Sequence, residues 1–237
     1  TLTGTIPGEI VWYDNVSVPV AQTATFAFTG SGNINWSSGS LIGGGTLVNQ
    51  FTMRLTTANN KIITAATTYN NEALIYNQSS GDLYITDGIL NNLASGTIDL
   101  KADAGNLSYS SGASHILNNF GLIKKTTSVG IVSIECDLIN TGTISVQSGT
   151  LILADPDIQL NGGTYNVSSG TAFQWQSTVT CSGTLNGLLD GQVVWTNTVS
   201  VPVTTTINFT GAGAINWDSG LINGGGILTN NTSINLT

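Results

Sequence analysis

The sequence predicts an all-β fold, a right-handed parallel β-helix with coils of roughly 20 to 27 residues, running as one continuous solenoid over residues 1–237. Three observations carry that expectation. Long stretches recur almost verbatim, a shorter beat runs inside them, and the segments between turn signals are short and β-branched with no helical periodicity.

The long recurrence is met first. "VWYDNVSVPV" (Val11–Val20) returns as "VWTNTVSVPV" (Val194–Val203), an offset of 194 − 11 = 183. "NINWSSGSLIGGGTLVN" (Asn33–Asn49) returns as "AINWDSGLINGGGILTN" (Ala214–Asn230), an offset of 214 − 33 = 181. "FTMRLT" (Phe51–Thr56) then matches "TSINLT" (Thr232–Thr237), and upstream "GTIPGEIVW" follows "GTLNGLLDGQVVW" with a four-residue gap. Residues 1–56 thus resemble 178–237: one unit of about 181 residues plus the start of the next. The repeated stretch reads as one and a half coils, with Ile34 and Trp36 pointing one way and Asn35 the other.

The shorter beat lies between these blocks. "LVNQFTMRL", "LNNLASGTIDL", "LNNFGLIKK", "LINTGTISV" and "LTNNTSINL" share a leucine, an asparagine one or two places on, a turn-forming step and an alternating run. Leu90, Leu117 and Leu138 are 27 and 21 apart, and Trp175, Trp195 and Trp217 are 20 and 22 apart. The segments "LYIT", "TIDL", "TISV", "TLIL" and "TYNV" are strands bounded by Gly, Asn and Ser pairs, while Asn59–Asn71 is the least regular and reads as a loop or an indented coil. Stacked coils, rather than an antiparallel sandwich, explain why like residues recur: asparagines at one angular position form hydrogen-bond ladders, and apolar residues form columns. At about 21 residues per coil the chain makes about eleven coils and a rod on the order of 50 Å.

The tryptophans fit this scheme. Ile10 with Trp12, Ile34 with Trp36, Phe173 with Trp175, Val193 with Trp195 and Ile215 with Trp217 share parity, which predicts an inward aromatic column rather than a sugar-stacking surface. Cys136 and Cys181 lie 45 residues apart, close to two coils, beyond disulfide reach; both are expected as buried free thiols.

Composition narrows the function. Charged residues are only 8% of the chain, and the net charge is −8, so a nucleic-acid partner is disfavoured. No apolar run is long enough for a spanning helix, and membrane insertion is not expected. The N-terminus has no signal-peptide pattern, which predicts either a chain that has lost its targeting segment or a piece of a longer protein.

Catalytic signals are weak. The densest carboxylates are Asp155 and Asp157, then Asp99 and Asp103, with the basic pair Lys124 and Lys125; all read as solvated turn residues, calcium at Asp155 and Asp157 being the one metal reading weighed. His115 is the sole histidine, which rules out a multi-histidine metal site, and it reads as exposed or at an edge. No G-x-S-x-G elbow is present. No catalytic, cofactor-binding or metal residue is assigned, and no cofactor is expected. Sequons at Asn15, Asn35, Asn77, Asn166 and Asn208 are expected by chance in so Asn-, Ser- and Thr-rich a chain. Thr178, Thr180 and Thr204–Thr206 only loosely suggest the flat threonine arrays of an ice-binding solenoid, the third reading.

The stretch "FGLIKKTTSVGIVSIECDLINTGTISVQSGTLIL" (Phe120–Leu153) and the "NW-SG-L-GGG-L-N" blocks resemble the strand repeats of giant bacterial adhesin-like surface exoproteins, of the filamentous-haemagglutinin or autotransporter type. The resemblance covers most of the chain. It implies an extracellular or cell-surface rod for attachment, spacing or filament assembly, partnered by further copies end to end and by surface glycans or other surface proteins, with no catalytic residues to carry over. The alternative is a polysaccharide-binding or polysaccharide-cleaving β-helix, which a groove holding three or more carboxylates with a Lys or Arg would favour.

Overall fold

Each short strand ends where the sequence places a turn, and each pairs in parallel with the strand one coil away. The computed structural model describes residues 1–155 and 157–237. Every pairing between named strands is parallel, and the strands sort into three faces of eleven, so the chain is a parallel β-solenoid of about eleven coils. Face A runs from Leu2–Thr5 to Ile222–Asn223, face B from Glu9–Trp12 to Leu228–Asn230, and face C from Val16–Ser17 to Ile234–Leu236. Val179–Leu188 bends through a corner and belongs to both A and B. Coil length varies: Leu138 pairs with Ile158, twenty residues on, and Gly88 with His115, twenty-seven on.

The core is a set of columns. On face A, Leu47, Tyr69, Leu90, Leu117, Leu138 and Ile158 lie in one register line, all fully buried. On face B, Ile34, Met53, Ile75, Ile98, Ile123, Ile144 and Tyr165 do the same. The expected aromatic columns are inside as well. Trp12 and Trp36 stack with centroids 4.1 Å apart and planes 2° apart, and Trp175, Trp195 and Trp217 follow one another on face C. Ile10 departs from its predicted inward placement; it lines an open cavity at the first coil and is exposed.

A polar ladder runs through this apolar interior. Asn49, Asn71, Asn92, Asn119 and Asn140 stand in register at the end of successive face A strands, each fully buried. Each Nδ2 donates to the next Oδ1, at 3.0, 2.8, 2.7 and 2.6 Å, and Asn140 ends the line on the Tyr165 hydroxyl. The second Nδ2 proton reaches a carbonyl of the following coil, Asn92 to Leu122 and Asn119 to Thr143. Buried amides are costly unless paired, and stacking pairs every one. Beside them the corner needs glycine: a Cβ on Gly121 would sit 2.3 Å from the Gly96 carbonyl, and one on Gly142 would sit 2.3 Å from that of Gly121.

Three local expectations change. Asn59–Asn71 is not a loop; Lys61–Ile63 continues face C and Thr68–Asn71 continues face A. Asn33–Asn49 is one coil, not one and a half, because it holds one strand of each face. Its copy does not return to the same angular position. Val11–Trp12 belong to face B and Val194–Trp195 to face C, and the strand pairs that follow shift likewise, C to A and A to B. Two copies are therefore separated by whole coils plus one face. A block that alternates inward and outward fits any face, since each face offers the same core on one side and solvent on the other.

The cysteines are free and buried, as expected. They are not equivalent positions, however: Cys181 stacks on Leu160, which stacks on Asn140, four residues past Cys136.

Replacing Asn92 by Ala leaves the buried Asn119 Oδ1 without its donor and takes the Asn92 acceptor from Asn71, and is expected to cost about 2–4 kcal/mol. The half-exposed neighbour Asn91→Ala should cost under about 1 kcal/mol in the same urea-denaturation series. Equal losses for the two would contradict a structural role for the buried ladder.

Candidate functional site

Stacking gathers polar side chains that the linear sequence keeps apart. Where face C turns into face A, His115 opens the strand His115–Asn119, Asp137 opens Asp137–Asn140, and Asp155 lies in the turn before Ile158–Asn161. These are three successive coils, so the side chains line up along the rod. His115 Nε2 is 3.2 Å from Asp137 Oδ1 and 3.8 Å from Asp155 Oδ2. Tyr109 stacks flat on the imidazole, with centroids 4.0 Å apart and planes 9° apart.

This corrects two expectations. His115 does begin a strand, but it is largely covered, with 16% of its side chain exposed. Asp155 is not a solvated turn residue: it is buried, and its Oδ1 accepts the Asp157 N–H at 2.9 Å, while Asp157 itself is exposed. Burial pushes the Asp137 carboxyl above the usual carboxylate range; the His115 ring pulls it back, and Asp155 adds to the rise. The inward Cys136 thiol beside it is raised strongly by burial and then by both aspartates, which makes it a poor nucleophile.

A second group lies on the outer side of face B. Asp99 is buried, accepts the Thr126 hydroxyl at 2.7 Å and lies 3.5 Å from Lys124 and 3.9 Å from Lys101. Tyr76 is clamped between cations, Arg54 5.2 Å and Lys101 4.7 Å from its ring centre. Tyr76 is also buried, so it presents no open ring face on which a sugar could stack. Lys124 and Lys125 part company as strand alternation requires, one outward and one fully buried, and Lys125 donates to Ser128 and pairs with the exposed Asp103 at 3.3 Å. The Ser128 hydroxyl and Lys125 hold the Asp103 carboxyl below its ordinary value. Among the described residues neither group combines three carboxylates with a Lys or Arg.

Thr205, from the threonine line, points inward and donates to the Cys181 carbonyl at 2.9 Å. The sequon residue Asn77 is buried too, donating to Gly81 and Gly105. No protein-family model, curated protein or solved structure matches the chain.

The sequence singled out Asp155 and His115 separately, and Asp137 not at all. Asp137 and His115 lie 18 and 40 residues upstream of Asp155, and only the coil lengths bring the three together.

The buried Lys61 gives a pH test. Its ammonium donates to the carbonyls of Thr57 and Asn59, and burial lowers its pKa to about 8 against the attraction of Asp82. Between about 8 and the unfolded value of 10.5 the unfolded chain binds more protons, so this group makes stability rise with pH. The melting midpoint of the parent chain should climb more steeply between about pH 8 and 9.5 than that of Lys61→Met. Parallel pH curves for the two would show that the lysine is charged in the fold.

Proposed function

We propose that this chain is a non-catalytic structural and adhesive segment of a long extracellular or cell-surface protein, a stiff rod for attachment, spacing or filament assembly. The carrying observation is that coil-to-coil register runs unbroken on three faces from the first coil to the last. Bending such a rod stretches ladder hydrogen bonds on one side and compresses the stacked columns on the other, so stiffness follows from the architecture. The outward surface supports the same reading. It is poor in charge and carries amide ladders of its own, Asn70 with Asn91 and Asn118, and Asn186 with Asn208 and Asn231.

End-to-end contact with further copies is part of this proposal. The first coil exposes Leu2, Ile10, Val11 and Tyr13 around an open cavity of about 440 Å³, and the last coils expose Leu221, Ile222, Ile227 and Leu236.

Small-angle scattering tests the rod and its association together. At low concentration the cross-section should be constant over a length of about 50 Å, and at high concentration the length should grow at fixed cross-section. A profile that stays monomeric would remove the end-to-end partner, and a globular profile would remove the rod. New reducing ends from a panel of polysaccharides incubated with the chain would favour the cleaving β-helix instead.

A further inference from the structure

We propose that His115, Asp137 and Asp155 form a binding site for one divalent transition-metal ion, with Zn2+ the best match, clamping three successive coils. The three candidate ligand atoms lie within 4.8 Å of one another. Zinc–ligand bonds of about 2.0–2.2 Å in a tetrahedron place neighbouring ligand atoms about 3.4 Å apart. The separations of 3.2 and 3.8 Å from Nε2 bracket that edge.

The polar atoms argue for an occupant, not for a finished ion pair. Asp137 Oδ1 is buried and receives no hydrogen bond, because its 3.2 Å approach to Nε2 is not aligned as an N–H···O bond. Asp155, with only 2% of its side chain exposed, uses Oδ1 on the Asp157 N–H and directs Oδ2 towards the ring at 3.8 Å, beyond hydrogen-bond reach. Two carboxylate oxygens and an imidazole nitrogen thus converge, with Asp137 Oδ1 buried and without a hydrogen-bond donor. A cation there gives all three a partner, and it offsets the cost of holding two carboxylates side by side.

The donor set selects the metal. One nitrogen and two carboxylates suit zinc with water in the fourth position, whereas calcium takes six to eight oxygens. Tyr109 fixes the imidazole plane by stacking. The other ring nitrogen, Nδ1, is buried without a partner, so packing and not a second hydrogen bond holds the ligand in place. The bound ion would tie residues 22 and 18 apart in sequence, locking the coil register at the corner where coil length changes most.

The test uses the full chain without a histidine tag, stripped with chelator and titrated with Zn2+ by calorimetry. One equivalent should bind at micromolar or tighter affinity and raise the melting midpoint, with no comparable response to Ca2+ or Mg2+. Asp137→Asn and His115→Gln, both close in shape, should each weaken binding at least tenfold while keeping the native circular dichroism. Co2+ should give ligand-field bands without a thiolate charge-transfer band, separating this site from Cys136 and Cys181. No zinc uptake by the parent chain at millimolar metal would overturn the proposal whatever the variants do. Thiolate bands, or affinity unchanged in both variants, would overturn it equally.

Discussion

Parallel pairing of each coil with the next, in register, is the constraint on which the rest of this structure depends. Because every strand lies over a like strand, a polar residue that turns inward must find its partner in a neighbouring coil or in the turn beside it. The Asn49–Asn140 ladder meets that demand in the middle of an apolar interior, and the glycines beside it are needed because a carbonyl of the preceding coil passes where a Cβ would be. The tryptophans answer the same constraint with shape, by stacking, although the buried indole N–H groups of Trp175 and Trp195 find no acceptor. Columns of one residue type tolerate little variation in register, since a slip by one would turn the whole inward set to solvent.

Function follows from the same geometry on two scales. Along the whole length, unbroken ladders make a rod whose surface is uncharged over most of its extent, which supports the proposed role in spacing and attachment. Locally, stacking brings together ionisable residues that come from different coils. Asp99 reaches Lys124 across one coil, and His115 reaches Asp137 and Asp155 across two. On face B the carboxylate Asp99 has both a hydroxyl and two lysines for partners, whereas at the C-to-A corner Asp137 Oδ1 is buried and unmatched. That contrast separates a surface network from a candidate ligand site.

Much of this was readable from residues alone. Leu-x-Asn, as in Leu90-Asn91-Asn92 and Leu117-Asn118-Asn119, announced an inward leucine and an inward asparagine with an outward residue between them, and so the ladder. Trp parity announced the aromatic columns, and 45 residues between the cysteines announced two free thiols. Asn59–Asn71 was misleading because Lys61, a charged residue, occupies an inward position and breaks the pattern of apolar alternation; its long stem fills the core while its ammonium caps backbone carbonyls. Asp155 was misleading for the related reason that a turn aspartate is normally wet, and only the neighbouring coils bury it.

The amino-acid sequence by itself determined the alternation, the turns and therefore the existence of stacked coils, because inward or outward placement along a strand is a property of adjacent residues. Tertiary structure alone decided which residues lie over which. Each coil spans between 19 and 27 residues, and that variation accumulates along the chain, so the long repeat returns on the next face and His115 meets aspartates from two later coils. Register between coils is a sum over loop lengths, and no local pattern contains it.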